Sequence, residues 1–193
     1  MIDVLPIMGA GFIGIATIGF LLIQHFLENK ITQYRVGNEE LVAKQKEILG
    51  WIDKAQADRQ QAGLSKQNLI VMKALNVSQA EYDDTHKSYS SKLSSSHINS
   101  VNALIAAKKL EGKEPEKMHK EAESFSEDQF TKSYMDMIPK AASATAAYQQ
   151  EIDSNTGSLL KLEGQKSLFW TVCFSCQSTG IICGLVFIFI GAN

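Results

Sequence analysis

Residues Leu168 to Ile190 read LFWTVCFSCQSTGIICGLVFIFI, twenty-three positions without an acidic or basic side chain. At about 1.5 Å of rise per residue, a helix of this length crosses the roughly 30 Å hydrocarbon core of a bilayer. Val4 to Ile23 is a second uncharged run, and the polar part of the chain lies between the two. The expected fold is all-α. Two transmembrane helices, 4–27 and 168–190, form a hairpin that flanks an antiparallel, coiled-coil-like polar domain over 28–166, with a tip loop near 111–115.

Composition fits this division. The 193 residues are 45% hydrophobic and carry a formal charge of −2, but all 19 Lys and Arg fall between Lys30 and Lys166. Of the 21 acids only Asp3 lies outside 28–166. A polar domain so balanced does not mark a nucleic-acid binder. Cys173, Cys176 and Cys183 all sit in the second apolar run, so the polar domain is no disulfide scaffold. Cys173-x-x-Cys176 has redox spacing without a βαβ context and reads as small packing residues. The first run lacks a basic n-region and is long for a signal peptide, so it is expected to remain as a signal anchor.

Within the first run Ala10, Gly14, Thr17 and Gln24 share one helical face, and Met8, Phe12, Ile15, Leu22 and Phe26 cover the opposite one. Small residues let helices approach closely in lipid, so Ala10, Gly14 and Thr17 are expected at a helix contact. In the second run Gln177, Gly180 and Gly184 are their counterparts, because Gly180-x-x-x-Gly184 has the form of a small-residue packing motif. An amide without a partner in hydrocarbon is costly, so Gln177 argues for a homo-oligomer. Thr171, Ser175 and Ser178 form a hydroxyl stripe that could line an aqueous path or bond the preceding helical carbonyls. Asp3 is placed as the first helix cap, and His25 among solvated headgroup residues.

The middle is helical in period throughout. Ile31, Tyr34, Leu41, Ile48, Ile52 and Ala55 make a narrow apolar stripe on an otherwise charged helix. Gly37 is expected to weaken it, and Gly63 to end it, with Ser65 capping the next segment. Ser94-Ser95-Ser96 reads as a break or a polar patch. Ile98, Val101, Leu104, Ile105 and Ala107 are the most hydrophobic part, ended by Glu111-Gly112-Lys113-Glu114-Pro115. A short helix at most is expected before Asp128. Ser126 and Gln129 fit a capping box, Pro139 interrupts the helix that follows, and Ser154–Gly157 interrupts it again.

No phosphate-binding loop, dinucleotide fingerprint, zinc-protease pair or nucleophile elbow occurs. Asp83, Asp84 and His86 do not share a helix face as metal ligands would. No enzyme activity, cofactor or metal is expected. The layout resembles, in architecture only, membrane sensors that hold a helical domain between two spans, without their large output domain. The leading expectation is a non-catalytic membrane scaffold or sensor subunit that oligomerises through its spans and binds a partner protein through its helical domain. The alternative is an oligomeric channel or pore-forming effector. Lys30, Arg35, Lys161 and Lys166 place the polar domain in the cytoplasm and both termini across a plasma or inner membrane.

Overall fold

A computed structural model describes residues 4–109 and 114–191. Every element among them is helical. The first helix runs from α1 (Val4–Leu22) through a π-helical stretch (Ile23–Glu28) into α2 (Asn29–Ala74), with right-handed helical backbone at both junctions. Helix α3 (Gln79–Ala106), the short α4 (Glu114–Ala122) and α5 (Glu127–Gly191) follow. Two of these four helices are long and apolar enough to cross a membrane. Asp3 and most of the expected tip loop lie outside the described residues, and Glu114 and Pro115 already belong to α4.

Several expected interruptions are absent. Gly63 lies inside α2, with open space where a Cβ would stand. A helical glycine costs about 1 kcal/mol, which burial of Ala62 and Leu69 on either side offsets. The break comes instead at 75–78. There Asn76 takes a left-handed φ of 48°, Val77 N–H donates to the Met72 carbonyl and Asn76 N–H to that of Lys73, a Schellman closure. Ser78 then caps α3 by accepting from Glu81 N–H. Lys108, at φ 53°, closes α3 in the same way. Pro139 sits inside α5; its missing N–H costs roughly 3 kcal/mol, but Met137 and Ala141 beside it are among the most buried side chains. Gly37, Ser94–Ser96 and Ser154–Gly157 are likewise helical. The capping box forms as expected, Ser126 N–H donating to Gln129 Oε1 and Gln129 N–H to Ser126 Oγ.

The chain divides into two compact units. One comprises Glu40–Glu151. In it α2 runs antiparallel to α3 and α5: Ala55 meets Ser96 and Asp58 meets Lys92, while Gln45 meets Gln149 and Lys66 meets Glu127. Its core joins Ile48 of α2, Val101 and Leu104 of α3, and Met137, Ala141 and Ala144 of α5. Along α2 the buried Leu41, Ile48, Ala55, Ala62 and Leu69 recur every seventh residue, which keeps one face of the helix toward its partners. Gln45, Ile52, Arg59 and Lys66 form a parallel series at the same interval. Its polar members bond to α5: Gln45 to Thr145 and Gln149, Arg59 to Thr131, Lys66 to Glu127. Helix α4 lies against α3.

The other unit comprises Met1–Glu39 with Ile152–Asn193. Its two helical segments are antiparallel neighbours, tied at their polar ends by Arg35–Glu163 (2.6 Å), Lys166–Glu28 (3.0 Å) and Asn38–Thr156 (3.3 Å).

Candidate functional site

Close packing of the apolar pair is built on glycine. A Cβ added to Gly9 would stand 3.0 Å from the Gly180 carbonyl oxygen, and one at Gly180 would stand 2.8 Å from that of Gly9 and 2.9 Å from Ile13 Cγ1. A Cβ at Gly19 would meet Cys173 Sγ at 2.6 Å. The Phe20 and Trp170 rings pack edge to face with centroids 5.4 Å apart. The buried seam on the first helix is therefore Gly9, Ala16 and Ile23.

That seam is one residue away from the expected face. Ala10, Gly14 and Thr17 are exposed, with open space beside Gly14. Rotation by one residue turns a helix through about 100°, so Ala10 and Gly14 turn off the contact with the second apolar helix and Thr17 is left at its edge. Of the counterparts, Gly180 is at the contact. Gly184 is half-buried, its amide 3.8 Å from where a Gly9 Cβ would be. Gln177 is exposed and, with Thr17, edges a groove of about 290 Å³ walled by Phe20, Trp170 and Phe174. Thr171 donates to the Ser167 carbonyl (3.0 Å), Ser175 to that of Thr171 (2.9 Å) and Thr179 to that of Ser175 (2.9 Å). Ser178 is half-buried beside this row rather than in it. The three cysteines are free and half-buried.

A second site lies in the Glu40–Glu151 unit. His97 is only 3% exposed. Its Nε2 is 3.3 Å from the Met118 carbonyl oxygen and its Nδ1 is 3.2 Å from Ser133 Oγ. A carbonyl only accepts, so Nε2 carries the proton and Nδ1 accepts from the serine hydroxyl. Around the ring stand Phe125 (centroids 5.5 Å), Phe130 (5.9 Å) and His119 (6.3 Å), all edge to face. Desolvation, and secondarily the neighbouring His119, hold His97 below the usual histidine range, against the opposing effect of the Met118 carbonyl. His119 Nδ1 is buried without a hydrogen-bond partner. His25, His86, His97 and His119 are far apart in the sequence, but His97 falls in phase with Leu93, Val101 and Leu104, which marks it for the buried face of α3.

Farther along the same unit, Arg59, Lys66, Tyr89 and Glu127 line a pocket of about 210 Å³. Lys66 and then Tyr89 lower the Glu127 carboxyl, opposed by partial burial. The Tyr89 phenol is raised by burial and then by Glu127; its hydroxyl faces that carboxylate without hydrogen-bond geometry. Asp83, Asp84 and His86 are exposed on α3, His86 between the rings of Tyr82 and Tyr89. Among the described residues no three His, Cys, Asp or Glu side chains cluster to hold a metal ion.

No protein-family model matches the chain, and no curated protein or solved structure shows significant similarity to it.

Proposed function

We propose that the chain is a non-catalytic membrane scaffold or sensor subunit, with the apolar pair in a bilayer, self-associated, and the polar helical unit binding a partner protein. The observation that carries this reading is the outward exposure of the apolar helices. Only 17% and 6% of their most apolar 18-residue windows are buried, and Ile7 and Phe189 are each 72% exposed. Patches of this extent are rarely left to water; lipid and like helices cover them at no such cost. Gln177 adds the argument for self-association, because its exposed amide at mid-span needs a partner that lipid does not supply. Lys30, Arg35, Lys161 and Lys166 favour a cytoplasmic polar unit. Against the pore reading, Thr171 and Ser175 already donate their protons within their own helix.

The test is purification in mild detergent with mass measurement of the intact complex. An oligomer, with or without a bound partner protein, is expected. Replacing Gln177 by Leu should shift it toward monomer. A strictly monomeric particle with no associated protein overturns the reading.

A further inference from the structure

Helix α4 has nine residues, too few to hold helical form on its own backbone hydrogen bonds. Its place depends on what it docks against. It meets α3 where His97 Nε2–H donates to the Met118 carbonyl and the His119 ring packs on the His97 ring, with Ala122 buried a turn further on. We propose that the His97–His119 pair is a proton-operated latch: the neutral imidazoles hold α4 on α3, and protonation releases it.

The surroundings of His97 suit its neutral form. From α4 the titratable group facing His97 is His119, a second base. From α5 come the neutral Ser133 hydroxyl and the Phe130 ring, and from the connection between α4 and α5 the Phe125 ring. Asp58 on α2 is engaged with Lys92 and Asn99, Glu127 on α5 with Lys66, and Glu121 on α4 with Lys117 on the exposed side, and the charged group that acts on His97 is His119. A proton on His97 therefore places charge in a dry, aromatic setting without a counter-ion, where its cost is high. A proton on His119 Nδ1 adds a buried donor with no acceptor. Two imidazoliums in contact also repel. Undocking α4 restores both rings to water and relieves all three costs; the buried core around Ile48 and Met137 is drawn from α2, α3 and α5, with Met118 of α4 packed against it as a half-buried side chain.

This deepens the sensor reading by naming protons as the input. It stands or falls separately, because protection of α4 is read whether or not the chain self-associates. The experiment is amide hydrogen exchange of the full chain in mild-detergent micelles at about pH 7.5 and about pH 5.5, corrected for intrinsic exchange, with exchange at the imidazole C2 positions giving the titration midpoints of both histidines. Expected is a loss of protection across α4 of about tenfold or more at the lower pH, while 93–104 of α3 stays protected. The loss should share its midpoint with His97. His97→Gln, which keeps a donor and cannot titrate near neutrality, should leave α4 equally protected at both pH values. His119→Gln, at the half-exposed position, should move the transition to lower pH by removing the repulsion. Equal protection of α4 at both pH values in the native chain overturns the latch, as does a transition that survives in His97→Gln. If His97→Gln alone undocks α4 at every pH, an unmoved midpoint in His119→Gln overturns the paired mechanism and a lowered one supports it.

Discussion

Gly9 and Gly180 meet backbone to backbone, each placed so that a Cβ on one would fall within about 3 Å of the other's carbonyl oxygen. A Cβ essentially never stands under 3.0 Å from a carbonyl oxygen, so any larger residue at Gly180 must part the two helices. Gly180→Leu should therefore open the apolar pair, whereas Gly14→Leu, at a position with open space, should leave it closed. A cysteine at Gly19 beside native Cys173, with Cys176 and Cys183 replaced by serine, reports the pairing as an oxidative cross-link. The link should form in the parent and in Gly14→Leu, and fall sharply in Gly180→Leu. Equal yields in all three would place the contact elsewhere.

Ile48 is fully buried against residues of α3 and α5. Its truncation to alanine removes side-chain volume from the point where the three helices converge. A loss of about 2–5 kcal/mol is expected. Thermal melting followed by helical circular dichroism should show it, while Leu49→Ala, on the exposed side, should change stability by only about 0.5 kcal/mol or less.

Backbone closure offers a stabilising change. Lys108 occupies a left-handed conformation that suits glycine and costs an ordinary L-residue about 1–2 kcal/mol. Lys108→Gly should raise stability by about 0.5–1 kcal/mol, part of the relief being offset by glycine's freedom in the unfolded chain. At the start of α5, Ser126→Ala should lower it by about 0.5–2 kcal/mol. A lower melting temperature for Lys108→Gly would contradict the assigned closure.

Acid should destabilise the polar unit in two windows. His97 titrates below its ordinary value when folded, so the unfolded chain takes up its proton first, and stability falls as pH drops below about 6.5. Glu127 is also held below its ordinary value, chiefly by Lys66. Its contribution is present above about pH 4.5 and is lost as pH falls through the folded value. Urea melts across this range should show both declines. Lys66→Met should remove much of the lower one, and His97→Gln the upper one.

Basic residues at the polar ends of the apolar helices set the expected topology. A protease-cleavable tag inserted at 111–113 should be protected in sealed right-side-out spheroplasts and cut only after lysis. Cleavage without lysis would reverse the orientation.

The start of α5 was legible because local side chains make it, whereas that of α3 was not: its cap is Ser78, bonded to Glu81 N–H, and the expected cap Ser65 lies inside α2. Ser126 and Gln129 satisfy each other's backbone groups within three residues, and any helix beginning there would use them. Helix ends were less so. Gly63 and Pro139 carry strong local penalties that favour a break, but burial of Ala62 and Leu69, and of Met137 and Ala141, depends on partners distant in sequence. Asn76, by contrast, acts as a stop because its backbone closes a Schellman loop and Ser78 is at hand to start the next helix.

Periodicity by itself determined that the chain is helical, that two segments are apolar enough to span a bilayer, and that a narrow stripe through Leu41, Ile48 and Ala55 is buried. These follow from spacing along one helix. Which face of α1 meets α5 did not, since Ala10, Gly14 and Thr17 form a small-residue face beside that of Gly9, Ala16 and Gly19, and the approach of Gly180 and Cys173 distinguishes them. Nor could spacing bring His97 of α3, His119 of α4 and Ser133 of α5 to one place. That meeting rests on α4 folding back along α3, a consequence of tertiary packing that no local propensity encodes.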